Sequence, residues 1–150
     1  MIIYVNTISD VEHIALVKGD ISGDDPILVR MHAVDLMSDI LDETSPFRNG
    51  HELETAMHTI EKNGRGIVVV LRESSNASLS SMVSQRVMQN ANSGDNPGHD
   101  LREYGVGAQI LGDLGVSKMV LLSNSQPNVI SLDGYDLEIV DWKPLNGEGQ

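Results

Sequence analysis

Apolar residues in the first third of the chain come in short β-rich runs, "IIYVNTI", "HIALVKG" and "ILVRMHA", parted by "SD" and by the turn-forming "DISGDDP". Such runs bounded by Gly, Pro, Asp and Ser predict strands joined by turns, here an antiparallel opening. From Glu52 the period lengthens. Leu53, Ala56, Met57 and Ile60 recur at helical spacing and Gly64 closes the segment. This predicts a helix over 52–63 with its Leu53, Met57 and Ile60 face against a sheet. The following "GIVVVL" contains five uninterrupted apolar residues, 67–71. That run is β-branched and too short for a buried helix, so it predicts a central strand covered on both faces. The intervening "GRG" at 64–66 is most simply the helix-to-strand turn. A second helix is expected over 79–89, a loop over "NANSGDNPGHD", and a third helix over about 104–114 ending at Gly115. The strand "KMVLLS", a short helix and the strand "LEIVDW" complete the alternation. The predicted fold class is α/β: a mixed β-sheet flanked by helices with an antiparallel N-terminal portion. One domain spans 1–145, with a disordered tail over 146–150.

Length and charge narrow the function. A chain of 150 residues suits one domain with a substantial core. Ten Lys and Arg stand against 22 Asp and Glu, a net charge of -12. Polyanion binding draws most of its nonspecific affinity from cationic side chains, so nucleic acid and anionic membrane are excluded as partners. One Trp, one Phe and three Tyr leave little for stacking on bases. No apolar run approaches a membrane span and no signal-type segment opens the chain, so a cytoplasmic protein is expected. There is no cysteine, hence no disulfide, and the core must be aliphatic with help from seven Met. His13, His58 and His99 lack the spacing of a metal or nucleophile-base arrangement. The run "SSNASLSS" reads as a loop and helix cap.

Longer blocks carry a more specific signal. "HIALVKGDISGDDPILVRMHAVDLMSDIL", "GHELETAMHTIEKNGRGIVVVLRE" and "HDLREYGVGAQILGDLGVSKMVLLSNSQPNVISLDGYDLEIVDWKPL" follow one another from about residue 4 to 145. In order and spacing they resemble the GTP cyclohydrolase II family, whose last block usually reads DxRxYGxGAQILxDLGVxKxxLLTNNPxK. The resemblance implies that family's α/β fold. It also implies a reaction that opens the imidazole ring of GTP, releases formate and removes pyrophosphate, giving a riboflavin precursor.

That chemistry requires groups this chain has lost. Ring opening uses a zinc ion held by three cysteines with one open position for water; the matching positions here are Asp35, Phe47 and Asn49. Asp35 offers an oxygen, Phe47 nothing, Asn49 a poor ligand, and nearby His51 a nitrogen. The site is a ligand short, so no metal or other cofactor is expected, and Asp35 and His51 read as solvated loop residues. Where the family has RQEGRGIGL, this chain has "RESSNASL", one residue shorter, with Asn76 for the arginine and Ser75 and Ala77 for glycines. Glycine there lets backbone amides approach phosphate. The catalytic tyrosine is missing from "SSMVSQRVMQN", where Arg86 falls nearest its place, and "SNSQPN" lacks the lysine of TNNPxK.

Some matches survive. Asp100 and Arg102 fit the D-x-R in which the family's arginine engages the α-phosphorus, making them the candidate catalytic pair. Arg30, His32, Arg72 and Asn124 are the candidate substrate-binding remnant. Plainer readings exist: Asp100 as a helix cap paired with Arg102, and Arg30, His32 and Arg72 as strand residues with satisfied hydrogen bonds. The expectation is a noncatalytic domain, a pseudoenzyme with an assembly or regulatory role beside a 3,4-dihydroxy-2-butanone 4-phosphate synthase domain. It is expected to be a homodimer and a separated C-terminal part of a longer two-domain protein. The alternatives are an enzyme with full or partial GTP cyclohydrolase II activity, including pyrophosphate release through Arg102, and a binding module for a nucleotide or riboflavin-pathway metabolite.

Overall fold

The computed structural model describes residues 1–43, 50–73, 78–91, 97–124, 132 and 134–145, without the side chains of 89–91 and 97–103. Strands β1 (Ile2–Asn6) and β2 (Val11–Lys18) form a hairpin. Its turn is held by the Asn6 side chain, which accepts from the amides of Ile8 and Ser9 at 3.0 and 3.4 Å. β3 (Ile27–Ala33) is followed by the single-turn helix α1 (Leu36–Asp39), helix α2 (Glu52–Asn63) and strand β4 (Gly66–Leu71). Helices α3 (Leu79–Ala91) and α4 (Pro97–Asp113) precede β5 (Lys118–Leu122) and β6 (Glu138–Lys143).

All six strands form one mixed sheet in the order β1-β2-β4-β3-β5-β6. The β1–β2 and β2–β4 pairs are antiparallel, and β4–β3, β3–β5 and β5–β6 are parallel. The antiparallel opening is thus narrower than the sequence predicts. β3 does not return beside β2; the chain passes through α2 and inserts β4 between them. β4 is the central, doubly covered strand expected from its apolar run. Its Ile67, Val69 and Leu71 join Ala15, Val29, Met119 and Leu121 beneath Ala108 and Leu111 of α4. Val68 faces the other layer with Leu28, Leu122 and Ala56 and Ile60 of α2. Fully burying each of these larger aliphatic side chains contributes about 1.5–3 kcal/mol, so the core lies where β3 and β4 are sandwiched between two helices.

The helix over 52–63 matches its predicted bounds, with its face turned slightly. Ala56 and Ile60 are buried, Leu53 is half-buried, and Met57 is 46 % exposed. Gly64 ends the helix at φ 77°, donating its N–H to the carbonyls of Ile60 and Glu61. A Cβ on Gly66 would lie 2.7 Å from the Leu28 carbonyl oxygen and 2.9 Å from Ile60 Cγ2. Glycine is therefore required where α2 and β4 meet closely. α4 begins at Pro97, seven residues before its expected start. Proline has no amide hydrogen to lose at the first helical position, so the Pro-Gly pair that reads as a loop opens a helix. The expected tail over 146–150 and short helix before β6 fall, wholly or mostly, outside the described residues.

Candidate functional site

The carboxyl ends of the parallel strands β3, β4 and β5 lie along one sheet edge, the edge where open α/β sheets bind ligands. Pleat alternation puts Arg30 and His32 of β3 on the same face as buried Leu28, toward α2. Arg30 donates to Glu52 Oε2 at 2.8 Å and to the carbonyl oxygen of Leu122 at 3.1 Å. Glu52 Oε1 also accepts from Asn124 Nδ2 at 3.2 Å, while Asn124 Oδ1 accepts the Leu145 amide at 2.8 Å. Burial lowers the Arg30 pKa from its usual value, opposed by the charge of Glu52. The structure thus joins two predicted substrate-binding residues, Arg30 and Asn124, through a carboxylate that sequence reasoning did not single out.

His32 is 4 % exposed and its Nε2 lies 3.0 and 2.9 Å from the two carboxylate oxygens of Asp39. Asp39 Oδ2 accepts the Asp35 amide at 2.9 Å. Asp35 in turn caps α1, with Oδ1 accepting from the amides of Met37 and Ser38 at 3.0 and 3.3 Å. Both of its carboxylate oxygens also accept from a terminal nitrogen of Arg86, at 3.0 and 2.9 Å, and Arg86 Nε donates to Glu43 at 2.7 Å. Burial by itself would lower the Arg86 pKa; its hydrogen bonds to Glu43 and the charge of Asp35 outweigh that and raise it. Asp35 is therefore no solvated loop residue. It is 18 % exposed and held by a guanidinium from α3.

Arg72 lies apart from both networks. Its backbone amide donates to Nδ1 of buried His13 at 3.2 Å, and its side chain is exposed. Burial, and then the charge of Arg72, lower the His13 pKa. Accepting at Nδ1 puts the proton of neutral His13 on Nε2, which has no hydrogen-bond partner among the described residues. Asp100 and Arg102 fall inside α4, at its fourth and sixth residues, so Asp100 is not the N-cap suggested by the plainer reading; their side chains are outside the described residues. So are Phe47, Asn49, Ser75, Asn76, Ala77 and residues 125–128. A depression of about 410 Å³ lined by Ser117, Lys118, Asp136 and Glu138 sits at the opposite ends of β5 and β6, away from these groups.

Zinc does not fit the residues present. Asp35 already accepts from a cation and from backbone amides, and a divalent ion beside it would meet the fixed charge of Arg86. His51 is turned elsewhere: at φ 67° it precedes α2 and pairs with Asp42 at 3.2 Å and Glu54 at 3.3 Å, exposed to solvent. Among the described residues no three His, Asp or Glu side chains form a metal-binding group. Glu43 and Asp39 were missed with Glu52, since each is an ordinary acidic residue until its partner is placed. The one usable signal was Arg86 itself, a lone charge in a helix of otherwise neutral residues.

Known proteins share the sequence blocks. The GTP cyclohydrolase II family profile matches residues 1–144. The chain is similar to the riboflavin biosynthesis protein RibBA of Bacillus cytotoxicus, 37 % identical over 150 residues, covering 95 % of this chain and 38 % of that protein. It is likewise similar to RibBA of Chlorobium phaeovibrioides, 41 % identical over 144 residues, covering 91 % of this chain and 35 % of that one. The chain spans little more than a third of the length of these relatives. Residues from the first strand to the last thus share one pattern of motifs, and the chain belongs to the GTP cyclohydrolase II family.

Proposed function

We propose that this chain is a noncatalytic GTP cyclohydrolase II-like domain, related to riboflavin biosynthesis, that serves assembly or regulation beside a dihydroxybutanone phosphate synthase domain and does so as a homodimer. One observation carries the reading. Asp35, at a position where the family's zinc ligand is expected, is engaged by Arg86, which itself falls nearest the place of the family's catalytic tyrosine. Two groups of the reaction are thereby replaced by one internal ion pair. A hydroxide-generating metal needs ligands with free lone pairs and an open coordination position, and a guanidinium-bound carboxylate offers neither. The relatedness to RibBA proteins fits association with a synthase domain.

Zinc analysis of the purified chain together with formate release from GTP tests the noncatalytic part. Deleting the domain from a longer parent, with synthase activity and assembly as readouts, tests the role. An unchanged parent would remove the assembly reading.

A second reading, a metabolite-binding module, has its own observation. Arg30 Nε and His32 Nδ1 are buried two residues apart on one face of β3 and have no hydrogen-bond partner among the described residues. Buried polar atoms are ordinarily satisfied, so a small polar ligand or water completing this set fits. Calorimetric titration with GTP, with an Arg30→Met control, separates the two: saturable heat abolished by the substitution favours the binding module.

A further inference from the structure

Glu52, the first residue of α2, does more than pair with one cation. Its two carboxylate oxygens go to different donors: Oε2 accepts from the Arg30 guanidinium at 2.8 Å and Oε1 from Asn124 Nδ2 at 3.2 Å. Each donor is also held by backbone. Arg30 donates to the Leu122 carbonyl oxygen at 3.1 Å, and Asn124 Oδ1 accepts the Leu145 amide at 2.8 Å. The end of β5 and the segment after β6 thus fix both donors without help from Glu52. Arg30 keeps a further N–H in reserve, since its buried Nε has no hydrogen-bond partner among the described residues. The Arg30 and Glu52 side chains are 12 and 21 % exposed, whereas Asn124 faces solvent, so the carboxylate is enclosed on one side and reachable on the other. Asp39, the other carboxylate whose charge acts on Arg30, is held by His32 and by the Asp35 amide. Donors fixed in advance around a single carboxylate have the form of an oxyanion site.

We propose that Glu52 is the chain's own ligand for this site, a tethered carboxylate that occupies Arg30 and Asn124 and keeps free carboxylates and phosphates out. The inference deepens the noncatalytic reading above, on which it rests, by assigning a residue that closes the remnant pocket to anions. A guanidinium taken out of water needs a countercharge beside it. Glu52 supplies that charge from within the fold, so it acts at a high effective concentration that a free anion must overcome. The net charge of -12 works in the same direction by holding anions away from the surface. Removing Glu52 reverses the balance. Arg30 is then buried without a countercharge, its backbone support remains, and a small anion entering from the Asn124 side restores what was lost.

The test titrates wild type, Glu52→Ala and the double variant Arg30→Met, Glu52→Ala with acetate and with inorganic phosphate in thermal melts, against sodium chloride at equal ionic strength. Acetate replaces the atoms that Glu52→Ala removes beyond Cβ. Glu52→Ala should bind both anions saturably, with dissociation constants roughly tenfold or more below those of wild type. At ten times its dissociation constant the anion should raise the Tm of Glu52→Ala by about 3–6 °C. The double variant should show no such rise. No rise in Glu52→Ala, an equal rise in wild type, or a rise that persists without Arg30 overturns the proposal. If Glu52→Ala fails to fold in buffer and in acetate alike, Glu52→Gln decides, since it keeps the shape and loses the charge. A phosphate-dependent rise in its Tm that wild type lacks sustains the site, and no rise overturns it. The two readings fail separately: formate release from GTP by wild type sinks the noncatalytic reading whatever the variants bind, while a silent wild type whose Glu52 variants gain no anion overturns this inference alone.

Discussion

Replacing Arg86 by alanine tests whether an internal ion pair has taken over the region of the lost metal. Arg86 and Asp35 are 19 and 18 % exposed and Glu43 is 36 % exposed, so the cluster lies between a surface pair and a buried one. Removing one partner of a fully buried pair costs about 3–5 kcal/mol, and an exposed pair contributes about 0–1 kcal/mol. Arg86→Ala should therefore destabilise by about 2 kcal/mol, with two carboxylates left facing each other. In a chain of this size 1 kcal/mol shifts Tm by roughly 2–4 °C, so a fall of about 4–8 °C is expected. Helix propensity does not account for it, because alanine is the better helix former. Arg86→Lys should recover part of the loss, as it keeps the charge but not the planar fork. Thermal melts of Arg86→Ala, Asp35→Asn and the double variant close the cycle; asparagine still caps α1, so the coupling isolates the ion pair. A Tm change within about 1 °C for Arg86→Ala, with additive effects in the cycle, would refute the reasoning.

Val69→Asp should unfold the domain, since Val69 is fully buried in β4 and an uncompensated charge there costs several kcal/mol against a total of about 5–15; a native melt would mean the strand is misplaced. Burial, the hydrogen bond to Asp113 at 2.8 Å and the charge of Asp113 push the Tyr4 pKa up to about 12. That stabilisation is complete below the ordinary tyrosine pKa of 10.0 and is lost as pH rises through 12. Absorbance titration should show one late phenolate that Tyr4→Phe removes; its persistence in the variant would contradict the assignment. His13 shifts the opposite way, so its contribution is present above pH 6.5 and lost as pH falls toward its lower folded pKa. The stability gap between wild type and His13→Asn in urea should narrow from about pH 7.5 to about pH 5.5, and a constant gap would count against a buried neutral imidazole.

Residues 67–71 were legible because a strand covered on both faces leaves its mark in an unbroken apolar run. The 52–63 helix was legible in extent but not in phase. Period alone cannot tell whether Ala56 or Met57 faces a sheet whose position is unknown, and the sheet took the smaller residue. Strand order was hidden because the insertion of β4 between β2 and β3 depends on the path of α2, a long-range property. The candidate site divides the same way. Asp35 and Arg86 were noticed for what they displaced, yet their pairing joins positions 51 residues apart, and Glu43 lies 43 residues from Arg86. No local pattern encodes such contacts. Pro97 misled for a different reason: proline signals a loop or a helix start equally well, and the first turn of α4 uses the second option.

The most direct measurement is metal content and GTP turnover on the same purified chain, supplied with excess zinc during preparation and then dialysed. Asp35 held by Arg86 predicts no stoichiometric zinc and no formate released from GTP. One tightly bound zinc per chain accompanied by formate release would contradict the account.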